Sequence, residues 1–146
     1  MLNLSKETKV TRVQNAAAAG TSTLTTAAVD MKGYEGVTFV ALFGTITDGT
    51  PGIKARQGKQ SNMSDGADLA GTLTSLATTD DNKCAILDVA RPQERYVDCQ
   101  IIRGGATGAV IDAVLAIQYR AKAVPTTHDA TVAKTETHVA PAEGTA

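Results

Sequence analysis

The sequence predicts an all-β chain: a single-domain β-sandwich, jelly-roll-like, with extended arms at its N- and C-terminal ends. Three stretches carry that prediction. The first, Gly36 to Thr47, reads GVTFVALFGTIT and lies between the glycine-bearing segments Gly33-Tyr34-Glu35-Gly36 and Thr47-Asp48-Gly49-Thr50-Pro51-Gly52. Alternation puts Val37, Phe39, Ala41 and Phe43 on one face and Thr38, Val40 and Leu42 on the other. β-branched and aromatic residues fit a pleated surface, and glycine clusters mark strand limits. With so little polar on either face, this strand is expected to be covered on both sides, at the centre of the core.

The second stretch is a pair of runs, Cys84 to Val89 and Arg95 to Arg103, joined through Arg91-Pro92-Gln93-Glu94. Proline suits the second position of a type I turn, so the pair reads as a hairpin. With Pro92 and Gln93 central, Cys84 faces Ile101 and Cys99 faces Ile86. One residue earlier, Cys84 and Cys99 face each other and a cross-strand disulfide becomes geometrically open. Free buried thiols are the expectation, with the register left open. The third stretch, Ala109 to Tyr119, follows the turn Gly104-Gly105-Ala106-Thr107-Gly108. Its alternation groups Ile111, Ala113, Leu115, Ile117 and Tyr119 against Asp112 and Gln118. Alanine and leucine would also suit a helix, but the glycine turn and the alternation favour a strand.

Around these, residues 29–121 are expected to form the sandwich core. Residues 1–28 read as an N-terminal arm or edge strand, with a short strand at Val10-Thr11-Arg12-Val13, the start of a helix turn at Ala16 to Gly20 that Gly20 and the following threonines do not let continue, and a weak strand from Leu24 to Met31. Ile53 to Gln57 alternates as a half-exposed strand should. Gly58 to Gly71 is a long polar connection, and loops of that length are uncommon in compact domains without a task. Residues 122–146 carry Pro125 and Pro141 and no periodic apolar face. They cannot bury enough surface to offset their own ordering. They are expected to lie as an extended arm on a neighbouring surface.

Composition narrows the function classes. The 146 residues include 14 basic and 15 acidic side chains, for a net charge of -1. No strong field points to nucleic acid or an anionic membrane. Aromatics are 3% with no tryptophan, which disfavours stacking platforms for bases or sugars. No apolar run approaches the roughly 18 to 20 residues of a membrane span. The N-terminus has no apolar h-region, so the chain is expected to stay in a cytosol, with Asn3-Leu4-Ser5 and Asn62-Met63-Ser64 unglycosylated.

Catalytic chemistry finds little to work with. The histidines, His128 and His138, both lie in the tail, and the cysteines are not at CxxC spacing. No catalytic set, metal site or cofactor is expected, and the chain does not read as an enzyme. The Gly104 to Gly108 turn lacks the spacing of a phosphate loop. Asp65, Asp68, Asp80 and Asp81 read as turn formers rather than calcium ligands. Lys54, Arg56, Lys59, Arg91, Arg95, Arg103 and Arg120 are interspersed with acids. Asp112, inside a strong strand, either pairs with a cation such as Arg95 or Arg103 or faces solvent.

Several stretches in order carry a resemblance: Val29 to Phe39 (VDMKGYEGVTF), Met63 to Gly71 (MSDGADLAG), Arg95-Tyr96-Val97, Gly104 to Ile111, Ala116 to Tyr119 and the Pro125-Thr126-Thr127 junction. Together they resemble small virion proteins encoded in the structural-gene clusters of tailed bacteriophages. The resemblance covers most of the chain and includes no catalytic motif. It implies a capsid decoration, or cement, protein, which binds the outer capsid surface and reinforces contacts between major capsid subunits. The implied partners are the major capsid protein and the chain itself, as a trimer. The implied location is the virion, after assembly in the host bacterial cytoplasm. A head–tail connector or tail component is the alternative. A host-surface glycan-binding module, reading sugar with the Gly58 to Gly71 loop, is a second alternative that the aromatic shortage disfavours. Partner contacts are expected from Val10, Arg12 and Val13 in the lead, from Asn62, Met63, Asp65 and Asp68 in the loop, and from Pro125, His128, Val132, His138 and Val139 in the tail.

Overall fold

The computed structural model describes residues 3–145. A one-turn helix, α1 (Leu4–Glu7), is capped by Asn3, whose Oδ1 accepts from Ser5 N at 3.1 Å. Strands follow as β1 (Lys9–Gln14), β2 (Ala17–Gly20), β3 (Leu24–Thr25), β4 (Val29–Asp30), β5 (Gly36–Ile46), β6 (Gly52–Gly58), β7 (Ala67–Asp68), β8 (Thr74–Ser75), β9 (Cys84–Ala90), β10 (Tyr96–Ile102) and β11 (Ala109–Tyr119). They build two antiparallel sheets. The first runs β1-β11-β5-β9, with β2 beside β11. The second runs β3-β10-β6-β7, with β4 on β10 and β8 on β6. The two inner faces meet in one core, as in a sandwich. Val37, Phe39, Phe43, Ile111 and Val114 come from the first sheet; Ile53, Val97 and Ile101 come from the second.

β5 is the central strand, and the inward set Val37, Phe39, Ala41 and Phe43 is buried as its alternation requires. Its other face is not covered, contrary to expectation: Thr38 and Val40 are half-buried and Leu42 is exposed. The sandwich has two layers only, so the outer face of the first sheet meets solvent.

Bulges explain a second departure. Phe43 pairs with Ile111 and Ile46 with Ala109, so β5 carries one extra residue there; Leu42 pairs with Ala113, so β11 then carries one in return. Each bulge flips the side-chain phase by one. Ala109 and Ile111 point inward before the bulge, and Val114, Ala116 and Gln118 point inward after it. Leu115, Ile117 and Tyr119 therefore stand on the outer face, not beside Ile111 as strict alternation implied. Gly44 permits the crowding, since a Cβ there would lie 2.9 Å from Val110 Cγ1. Gln118, buried by the phase change, donates from Nε2 to Asp30 O at 2.7 Å. Asp112 is exposed, and both proposed cations are engaged elsewhere: Arg95 with Asp30, Arg103 with Ser22 and Ala18.

The expected hairpin between residues 84 and 103 does not form. β9 pairs with β5 in the first sheet, whereas β10 pairs with β6 in the second. Arg91 to Arg95 is a sheet-to-sheet crossing. At about 3.3 Å per residue, five residues readily span the roughly 10 Å between layers. Both strands then aim an apolar face into the same core, Ala85, Leu87 and Val89 against Val97, Cys99 and Ile101.

This separates the cysteines, both of which are free: Cys84 is exposed and only Cys99 is buried. Burial pushes the Cys99 thiol up to about 12, and the neighbouring Asp98 carboxylate adds to the shift. A thiol-reactive chromophore at pH 8 is expected to titrate one thiol in the native protein and a second only on denaturation. Substituting Cys84→Ser should abolish the native signal; a remaining fast signal would contradict the buried placement of Cys99.

The lead is built into both sheets rather than extended as an arm. Val13 and Val29 join the core, and Ala17 to Gly20 forms β2 instead of starting a helix. Arg103 fixes that segment: Nη1 donates to Ala18 O at 2.7 Å and Nε donates to Ser22 O at 2.8 Å.

Candidate functional site

A sheet edge is the natural place for a partner strand, because its outward N–H and C=O groups have no ladder to join. The first sheet ends in β9 on one side and in β1 with the shorter β2 on the other. At β1 the chain's own tail takes outward groups between Lys6 and Arg12. Val10 N donates to His128 Nδ1 at 3.1 Å, Val10 O accepts from Asp129 N at 3.2 Å, and Arg12 N donates to Thr131 Oγ1 at 2.9 Å. One step earlier, Thr126 Oγ1 donates to Thr8 O at 2.5 Å and Thr126 N donates to Lys6 O at 2.7 Å. Since His128 Nδ1 accepts, its ring proton sits on Nε2, 3.0 Å from Ser5 O. The tail thus straps the β1 edge mainly with side-chain groups, without forming a strand of its own.

This placement revises the expectation for the tail. The neighbouring surface that holds it is this chain's own first strand. Of the expected contact residues, Val10, Arg12 and His128 meet here, and Val10 and Val132 line the same shallow cleft with His138. Val13 does not belong to the surface: it is 6% exposed and faces the core. Pro125 is exposed after a cis Val124–Pro125 peptide. His138 pairs with Glu136 at 3.0 Å, and Val139 is 96% exposed.

The long loop after β6 is held against its own sheet. Asp65 accepts from Lys59 N at 2.8 Å and Gln60 N at 3.1 Å, and these backbone donors hold its carboxyl below the usual range. Asn62 accepts from Ser64 N at 3.0 Å, and Asp68 pairs with Lys54 at 2.6 Å. Met63 turns inward, 8% exposed, so its side chain is not available to a partner. The loop also covers an ion pair on its own sheet. Gly66 packs against the Arg56 guanidinium, where a Cβ would lie 3.5 Å from Arg56 Cζ. Beneath it, Arg56 makes a two-pronged pair with Asp98, Nε to Oδ1 at 3.0 Å and Nη2 to Oδ2 at 2.6 Å.

The glycine turn before β11 is an anion nest in which the anion is internal. Asp48 accepts from Ala106 N at 2.8 Å, Thr107 N at 3.1 Å and Gly108 N at 2.6 Å. Those amides, Gly108 foremost, hold the Asp48 carboxyl below the ordinary carboxylate range. Among the described residues no three His, Cys, Asp or Glu side chains gather as a metal site would require.

Sequence reasoning placed residues on both sides of the strap but missed that they face each other. Val10 and His128 are 118 positions apart, and nothing local signals the contact. It also missed the β9 edge altogether, because the hairpin reading gave those backbone groups to β10. In comparisons with known proteins, the chain matches no protein family and no curated protein sequence.

Proposed function

We propose that the protein is a structural component of a tailed-phage virion, a decoration protein that binds the outer capsid surface and bridges major capsid subunits. The observation that carries this reading is the state of the tail. No residue from Lys122 to Thr145 is buried, and Val124 and Val139 are 60% and 96% exposed. The strap is polar and exchangeable, because hydrogen bonds of this kind contribute only about 0.5–1.5 kcal/mol each net of water. A shell subunit that offers an edge and an apolar groove competes with β1 for the tail and gains by burying these two exposed valines. Many such weak clamps, linked through a homo-oligomer, act with avidity. The rigid sandwich positions the clamp, and no bond making or breaking is involved.

Deleting residues 123–146 is expected to weaken binding to undecorated shells about tenfold or more, equivalent to at least about 1.4 kcal/mol per site. The sandwich core draws nothing from the tail, so the shortened protein should keep a cooperative unfolding transition. Co-sedimentation with shells, together with shell melting temperature, reads the effect. Undiminished binding with unchanged shell stability would remove the tail from the mechanism.

A further inference from the structure

The second edge of the first sheet is open, and its hydrogen-bond phase can be read residue by residue. Phe43 N donates to Lys83 O and Arg91 N donates to Glu35 O, which continues the β5–β9 ladder at both ends. The residues that exchange bonds with β5 are therefore 85, 87 and 89. The N–H and C=O groups of Cys84, Ile86, Asp88 and Ala90 point away from the sheet, and among the described residues none of them has a backbone or side-chain partner.

The other edges are protected. β1 is strapped, the four-residue β2 is held at Ala18 O by Arg103 Nη1, and β3, β4, β7 and β8 are two residues long. β9 runs for seven residues as CAILDVA, with no proline, no lysine and no bulge, the usual devices that keep an edge from pairing. Beside it the outer face is apolar: Ile86 is 61% and Leu42 37% exposed, and a cross-sheet row joins Leu115, Val40 and Ile86.

We propose that β9 is a strand-addition interface whose occupant is the β9 of a second copy, paired antiparallel about a two-fold axis. An antiparallel pair of identical strands is self-complementary in hydrogen bonding. The register that pairs Cys84 with Ala90 of the second copy, and Ile86 with its Asp88, uses every outward group of the strand. It also keeps the two Asp88 carboxylates, the only charges on β9, from standing directly opposite each other. Each Asp88 already accepts from its own Tyr119 Oη at 2.8 Å, which holds it toward β11 and off the new seam. In this register the two Ile86 side chains are diagonal neighbours across the seam, so the two Ile86–Val40–Leu115 rows run side by side, offset by two residues, on one continuous sheet. This interface is independent of the tail and of the shell-binding reading, and it makes a two-fold pair rather than a three-fold ring.

Sedimentation equilibrium of the purified full chain tests it. The unmodified protein should run at twice the chain mass. Ile86→Pro should run as a monomer, because the donor it removes is one of the outward ones and the ladder to β5 is left whole. Ile86→Val should remain a dimer. If Ile86→Pro lowers the unfolding transition, Ile86→Lys, which leaves the backbone intact, decides. A monomeric unmodified chain at all concentrations overturns the proposal. So does a trimer indifferent to both substitutions, or a dimer that persists in Ile86→Lys with its fold unchanged.

Discussion

Asp98→Ala is expected to destabilise the fold by about 3–5 kcal/mol, the range for breaking a buried ion pair from one side. Asp98 is 1% exposed and sits opposite Arg56 in the β6–β10 register, so the two side chains meet on the outer face of the second sheet. That face would normally be wet. Here the loop after β6 lies over it and excludes water from the pair. The Asp98 hydrogen bonds are the main reason the Arg56 guanidinium holds its proton more tightly than usual. Removing the carboxylate leaves a cation under the loop with no acceptor in place. Arg56 retains 18% side-chain exposure, so it can turn partly toward water, and the lower part of the range is the better expectation for Asp98→Ala. Arg56→Met strands the almost fully enclosed carboxylate instead and should cost more. Urea denaturation measures both. Asp68→Ala provides the contrast: its partner Lys54 is also on this face, but Asp68 is 55% exposed, so the change should stay within about 1 kcal/mol. Equal losses for Asp98→Ala and Asp68→Ala would mean that the loop does not enclose the pair.

What the sequence made legible follows from the range of the forces involved. β1, β5, β6 and β11 are visible as strands because their inward residues recur at a local period. The phase within β11 is lost because the bulge at Ile111 to Ala113 is set by the facing strand, through Gly44, and leaves no signature in β11 itself. The crossing between β9 and β10 looks like a hairpin because Arg91-Pro92-Gln93-Glu94 specifies only that the chain turns. Which sheet receives the next strand is decided by the core, where Ala85, Leu87 and Val89 meet Val97, Cys99 and Ile101 across the layers.

Polar contacts were the least legible. Of the two readings of Asp112, a cation partner or a solvent-facing position, the exposed outer face bears out the second. The polar groups that matter to the interior, Asp98, Gln118 and Arg103, gave no local sign of burial. The strap shows the same limit. Its composition announces a segment that needs a surface, but not that the surface is 118 residues upstream. A tail that satisfies its own sheet edge and a tail that reaches another subunit have the same sequence signature, because both demand only extended polar backbone.

Gly108→Ala should cost about 3 kcal/mol or more. Gly108 lies where β11 begins, at φ +78, a region in which a Cβ alone costs roughly 1–2 kcal/mol. That strain is the smaller part. A Cβ at Gly108 would overlap Gly20 O at 1.9 Å, and Gly20 is backbone held in the β2–β11 pairing with Ala109. Backbone cannot rotate aside as a side chain does, so the substitution must push β2 off the sheet, and overpacking of this kind costs about 1–3 kcal/mol further. The push also disturbs two bonds that close the turn: Gly108 N to Asp48 at 2.6 Å, and Thr47 N to Gly108 O at 3.1 Å. Because Arg103 binds Ala18 and Ser22 on either side of Gly20, the disturbance should spread through residues 17–22 rather than stop at one pair. Hydrogen exchange distinguishes this mechanism from general weakening. Protection should fall first at Gly20 and Ala109, and least at Phe39 and Leu87 in the β5–β9 half of the same sheet. Gly33→Ala is the matched control, since Gly33 has φ +91 and open space around it, and so carries the backbone strain without the collision. A loss at Gly108→Ala no larger than at Gly33→Ala would mean that β2 yields freely. The N-terminal segment would then be a loosely held edge rather than part of the sandwich.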